Sequence, residues 1–274
     1  MLALTLASTL VVTILATREI NLIRYQLGLL LVPLILMLNL VPSTAFAAQI
    51  RVAVASNFTS AAKMLQLEFE QQSQHTLSLS FGSTGKHYAQ IRNGAPFDIF
   101  LAADAERPER LQREGFAVSD NRFTYALGKL VLWSSALPDL SEETLSTTDF
   151  RHLAIANPEL APYGQAATQV LDRLGLSANL QERLAFADNV GQAFAFVHTG
   201  NAELGFIAQS QLVAQKLVDK ELSGSFWKVP EDYYDPIEQQ AILLSDKPAA
   251  AEFLLFLMDE RAKTIIANAG FKLP

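Results

Sequence analysis

Small hydroxyl and amide residues recur at one kind of place in this sequence, directly after an apolar run and directly before an amphipathic one. Ser56-Asn57 follows Ile50 to Ala55, Ser83-Thr84 follows Leu77 to Phe81, and Asp188-Asn189 precedes Val190 to His198. Such residues can cap a helix through the side-chain oxygen, or donate an O–H or N–H to a ligand. Gly82 and Gly85, on either side of Ser83-Thr84, would let backbone come close to a bound group. A helix start also offers unsatisfied N–H groups and the positive end of a dipole. Several starts pointing together would make an anion site that needs no cationic side chain. Taken singly, each loop reads as an ordinary cap. Gly-Ser-Thr-Gly lacks the Lys-Ser/Thr ending and the spacing of a phosphate-binding P-loop.

Other chemistries find less support. The four histidines, His75, His87, His152 and His198, show no metal-ligand spacing and read as surface or packing residues. Asp98 and Asp104 flank a strand like a carboxylate pair, but no partner base accompanies them, so a structural role is expected. Ser56 lacks the Gly-x-Ser-x-Gly elbow of a nucleophile. Lys86 could steer anions, but a solvated helix position is the favoured reading. No catalytic residue, cofactor site or metal-ligand set is therefore expected. The absence of cysteine excludes disulfides, thiolate metal sites, cysteine nucleophiles and N-terminal lipid-modified cysteines. A formal charge of −7 argues against a nucleic-acid partner.

The elements that would position these loops alternate strand and helix, which signals an α/β fold. Strands are expected at Ile50 to Ala55, Leu77 to Phe81, Asp98 to Ala102, Leu130 to Trp133, Leu153 to Ala156, Leu204 to Ala208 and Glu238 to Leu244. Helices are expected up to Gln72, up to Arg92, over Gly164 to Leu174, over Val190 to His198, and over Ala249 to Ala269. Pro230 to Pro236 reads as turn-rich, its acidic run Glu231 to Asp235 as a solvated hinge loop. The polar loops fall at strand C-termini, where open α/β sheets bind ligands.

The first 47 residues differ from the rest. They carry only Arg18, Glu19 and Arg24 as charges, between the apolar runs Leu2 to Ala16 and Leu27 to Leu40. The second run, broken by Pro42-Ser43 and followed by Ala45-Phe46-Ala47, has the form of a secretory signal. Export to the periplasm with cleavage after Ala47 is expected, leaving a more acidic chain of charge −8. Residues 1–17 fit either an upstream extension of the start or a membrane anchor.

At these same loops the sequence resembles the periplasmic molybdate-binding proteins of ABC-type transporters, a type II periplasmic binding protein family. The resemblance runs from about Ile50 to Pro274. It is carried by Val52-Ala53-Val54-Ala55-Ser56-Asn57-Phe58-Thr59, by Phe81-Gly82-Ser83-Thr84-Gly85-Lys86, and by Gly94-Ala95-Pro96-Phe97-Asp98-Ile99-Phe100. It continues in Asn157-Pro158-Glu159, Ala161-Pro162-Tyr163-Gly164, Asp188-Asn189-Val190-Gly191-Gln192-Ala193 and Ala269-Gly270-Phe271.

The resemblance implies an α/β fold of two lobes, each a sheet flanked by helices, with the ligand in the cleft. Residues 48–127 and 237–274 would form lobe I, and 128–236 lobe II. It places molybdate ligands on Ser56, Asn57, Ser83 and Thr84, with backbone N–H donors at Tyr163 and Val190. The only metal would be the molybdenum of the oxyanion itself. One branch of the family uses a tyrosine where this chain has Ala208, and Asn57 is expected to supply that bond. The implied function is delivery of molybdate, and of the similarly sized tungstate, to an inner-membrane ABC permease by a monomer without cofactors. A site made only of donors disfavours an ion that brings its own proton, which leaves sulfate as the main competitor. The alternatives are a sulfate or other tetrahedral oxyanion carrier, a membrane-anchored oxyanion sensor, or an exported α/β enzyme. The enzyme would need an acid–base pair that the sequence does not show. The Glu231 to Asp235 run could instead touch the transporter.

Overall fold

A computed structural model describes residues 47–118, 121–219 and 224–274. The expected leader, as far as Phe46, lies outside the described residues. No described helix is long and apolar enough to cross a membrane.

Strand β1 (Gln49–Ala55) runs through a 3-10 turn at Ser56–Phe58 into helix α1 (Thr59–Gln72). Then come β2 (Thr76–Gly82), α2 (Thr84–Arg92), β3 (Ile99–Leu101), α3 (Glu106–Arg113) and β4 (Phe123–Gly128). A single residue, Lys129, separates β4 from β5 (Leu130–Ser134). The chain continues through α4 (Thr144–Thr147), β6 (Leu153–Ala156), α5 (Pro162–Arg173) and α6 (Ser177–Leu180). It goes on through β7 (Leu184–Ala187), α7 (Val190–His198), β8 (Leu204–Ala208), α8 (Gln209–Asp219) and β9 (Ser225–Lys228). Last are β10 (Ile237–Leu243), α9 (Pro248–Phe256) and α10 (Glu260–Asn268).

These strands make two five-stranded sheets, β2-β1-β3-β10-β4 and β7-β6-β8-β5-β9. The plan is the same in both. Four strands run one way and one runs against them, β10 between β3 and β4 in the first sheet, and β5 between β8 and β9 in the second. Each sheet with its helices is one lobe, and the described chain crosses between them at β4–β5 and again between β9 and β10. The fold is thus the expected α/β architecture of two sheets flanked by helices.

Helices cover both faces of the first sheet. Val52 and Val54 of β1 pack with Phe58, Leu65 and Phe69, while Ala53 packs with Tyr88, Ile91 and Phe100 on the other side. This two-sided burial explains why β1 reads as a continuous apolar run. In the second lobe Trp133 is fully buried and stacks on Phe194, with ring centroids 5.0 Å apart.

Several spans differ from expectation. The single closing helix over Ala249 to Ala269 is two helices, because Asp259 takes an extended conformation and its side chain accepts from Arg261 N–H. A side-chain cap competes there with continued helix. The strand expected from Asp98 begins at Ile99. Asp98 is instead a buried anchor whose carboxylate accepts from Arg51 N–H at 2.8 Å and from Lys247 Nζ at 3.0 Å. Elements β4, β7, β9, α3, α4, α6 and α8 had no counterpart in the sequence reading.

Candidate functional site

Four loops that follow strand C-termini meet between the lobes. The first lobe brings Ser56-Asn57 after β1 and Ser83-Thr84 after β2. The second brings the start of α5 after β6 and the start of α7 after β7.

Direct bonds hold the four loops together. Gly191 N–H, in the first turn of α7, donates to Ser56 Oγ at 3.2 Å. Gly85 N–H, in the first turn of α2, donates to Leu160 O at 2.8 Å. A β-carbon at Gly85 would stand 3.0 Å from the Leu160 Cα and O, so glycine permits this approach. Ser210 Oγ, buried at the start of α8, donates to Asn57 O at 2.8 Å. At the rim Arg107, paired with Asp104, donates to Glu159 O at 2.9 Å. Half-exposed Lys86 pairs with Asp188 at 2.6 Å, also from one lobe to the other.

Within this cluster the two lobes offer different groups. At α2, Ser83 is the N-cap and its Oγ accepts from Lys86 N–H at 3.3 Å. His87 N–H goes to Ser83 O, and Gly85 N–H to Leu160. Most of this helix end is therefore satisfied by the protein itself. Its side chains offer what remains: Thr84 Oγ1 accepts from Ala103 N–H at 3.1 Å and keeps its hydroxyl proton to donate. Ser56 Oγ and Ser83 Oγ likewise accept from backbone and keep a proton to give. Ser83, Thr84 and Asn57 are all buried.

In the second lobe the main chain is offered. Pro162 opens α5 and has no N–H, while Gly164 and Gln165 donate to Ala161 O. The remaining first-turn group is the N–H of Tyr163. At α7 the N-cap Asn189 takes Gln192 N–H with its side chain and Ala193 N–H with its carbonyl. Gly191 N–H is held by Ser56, which leaves the N–H of Val190. A β-carbon at Gly164 would overlap the Ala156 carbonyl oxygen, so glycine allows α5 to begin directly against the end of β6.

All six expected ligand residues, Ser56, Asn57, Ser83, Thr84, Tyr163 and Val190, lie in these loops. Asn57 also does something the sequence did not suggest. Its Nδ2 donates to Gln239 Oε1 at 2.7 Å and lies 3.5 Å from Tyr163 Oη. Gln239, fully buried on β10, and Ser210 were both missed. A polar run, Glu238-Gln239-Gln240, leading into the apolar Ala241-Ile242-Leu243 was the available signal for the first. Ala208 brings no hydroxyl to the cluster, and its N–H donates to Gln211 Oε1.

The titratable groups around the site are structural. His87, on α2, is buried against Phe97 and Phe100. Burial lowers its pKa below the ordinary histidine value, offset in part by a bond to Gln90. Burial raises Asp104, against the pull of Arg107. It also pushes the Tyr163 phenol far up, so that Oη stays protonated. Among the described residues no cluster of histidine or acidic side chains could hold a metal ion. Lys86 and Arg107 beside the loops are paired with carboxylates, whereas exposed Lys63, which lines a pocket with Ser56 and Asn57, lies over the Phe81 ring. The arrangement can surround a small anion with neutral O–H and N–H donors, and it holds no acid–base pair.

The sequence profile of bacterial extracellular solute-binding proteins matches residues 50–272. The molybdate-binding protein ModA of Azotobacter vinelandii is 46% identical over 240 residues, covering 86% of this chain and 94% of that protein. ModA of Rhodobacter capsulatus is 42% identical over 231 residues, covering 83% and 89%. The solved structure of the Azotobacter vinelandii periplasmic molybdate-binding protein superposes with a TM-score of 0.78 at 43% identity. It covers 82% of this chain and 99% of that one.

Proposed function

Because this chain belongs to the family of bacterial extracellular solute-binding proteins, matched over residues 50–272, we propose that it captures molybdate in the periplasm for an ABC transporter. It is a binding protein and not an enzyme. The observation that carries the reading is the meeting of four donor loops across two lobes, joined by Gly191 N–H to Ser56 Oγ and Gly85 N–H to Leu160 O.

In this reading Ser56, Asn57, Ser83 and Thr84 donate from lobe I, residues 48–127 and 237–274. The N–H groups of Tyr163 and Val190 donate from lobe II, residues 128–236. Such donors suit a tetrahedral dianion, whose oxygens only accept. Hydrogen bonds to a charged group contribute about 1.5–3 kcal/mol each, and a donor left unpaired by a smaller ion costs a similar amount. Distance therefore selects the larger oxyanion over sulfate without any cationic side chain. Since each lobe supplies part of the ring, only the closed cleft completes it. Tungstate, close to molybdate in size, is a second ligand. The exported chain begins after Ala47, acts as a monomer without cofactors, and hands its ion to an inner-membrane permease.

Isothermal titration of the purified protein with molybdate, tungstate, sulfate and phosphate tests this. Tight binding of the first two and weak or absent binding of the others is expected. Tight sulfate binding with no heat from molybdate overturns the assignment.

A further inference from the structure

Gln239 sits in the strand that returns the chain to the first sheet, with no exposed surface. Both ends of its amide are engaged. Nε2 donates to the Ile237 carbonyl at 3.0 Å, and Oε1 accepts from Asn57 Nδ2 at 2.7 Å. A carbonyl oxygen can only accept, so Ile237 fixes which way the Gln239 amide faces. The oxygen of Gln239 in turn admits only a donor, and Asn57 must present its NH2 to it. The other neighbour of Asn57 Nδ2 is Tyr163 Oη at 3.5 Å, a long contact that an anion oxygen can displace. A phenol both donates and accepts, so Tyr163 imposes no orientation of its own.

We infer that Gln239 is a positioning residue for oxyanion recognition: through Asn57 it sets the polarity of the first loop, so that the cleft meets an N–H and not a C=O. The inference rests on the oxyanion-binding reading above and adds to it a reason for selectivity. An asparagine amide has nearly the same shape when flipped. Released from Gln239, Asn57 could turn its oxygen toward the ion. That oxygen would repel molybdate or sulfate, but it would accept a proton from hydrogen phosphate.

Competition binding at about pH 8 separates these effects, because molybdate, sulfate and hydrogen phosphate are then all mainly dianions. Gln239→Met, similar in length but without polar atoms, is expected to weaken molybdate and sulfate about tenfold. Hydrogen phosphate should change by less than about twofold, since a flipped amide replaces one bond with another. The phosphate-to-sulfate affinity ratio therefore rises. With Asn57→Ala already in place, Gln239→Met should leave the ratio unchanged. Equal weakening of all three anions by Gln239→Met, or an unchanged effect in the Asn57→Ala background, overturns the inference.

Failure of the broader reading looks different, because wild-type protein would then bind none of the anions. A ligand-free measurement still decides the role of Gln239 in that event. The Asn57 side-chain NH2 resonance should exchange slowly in wild type and rapidly in Gln239→Met, and equal exchange in the two would refute the positioning role.

Discussion

The two lobes share one sheet plan but bring opposite kinds of group to the cleft. In the first, the start of α2 is capped from within by Ser83 and by the Gly85 bond to Leu160, so the groups left to offer are the side chains of Ser56, Asn57, Ser83 and Thr84. In the second, Pro162 and Asn189 settle the starts of α5 and α7 so that one main-chain N–H remains at each, on Tyr163 and Val190. Side-chain donors can be changed one substitution at a time. Main-chain donors depend on backbone placement, and hence on close packing behind them.

The largest effect should follow from disturbing that packing. Gly164→Ala forces α5 away from the Ala156 carbonyl, and overpacking of this kind is expected to cost about 3 kcal/mol of stability. Thermal denaturation reads this, with a parallel loss of molybdate affinity. A main-chain donor can also be removed without breaking the helix. Val190 is the first residue of α7, where proline is tolerated, and Asn189 before it is already extended, as proline requires. Val190→Pro should weaken molybdate by about 2 kcal/mol in calorimetry, with little change in circular dichroism.

On the side-chain half, Ser56→Ala and Thr84→Ala should each weaken binding by about 1–3 kcal/mol. Unchanged affinity in both would mean that the first lobe does not contribute as described. Lys86→Ala breaks a half-exposed ion pair between the lobes and should change affinity by less than about 1 kcal/mol, less still at high salt. His87 should affect affinity least of all. Its folded-state pKa is depressed by burial, so the unfolded chain takes up the proton first as pH falls. Stability should therefore decline below about pH 6.5, and His87→Gln should flatten that decline in melts taken across the range.

The site loops were legible in the sequence because caps and strand ends leave local marks. Ser56-Asn57 and Ser83-Thr84 stand between an apolar run and an amphipathic one, Asp188-Asn189 directly precedes an amphipathic one, and the structure puts all three at strand ends facing the cleft. Spans whose order comes from tertiary contact were not legible. Strand β9 alternates half-buried with exposed residues, and β7 has only one fully buried residue, so neither carries a strong pattern. The break at Asp259 depends on a side-chain bond that an apolar stretch on either side conceals. Gln239 and Ser210 were missed for a further reason. Each acts on a residue more than 150 positions away, Asn57, and no local spacing encodes such a meeting.

A crystal structure with molybdate bound, its position read from the anomalous signal of molybdenum, tests the central division of labour most directly. The ion should lie between the lobes within hydrogen-bond distance of Ser56 and Thr84 hydroxyls on one side and of the Tyr163 and Val190 N–H groups on the other. A molybdenum peak away from the α5 and α7 starts, such as in the pocket beside Lys216 and Lys228, would contradict the account.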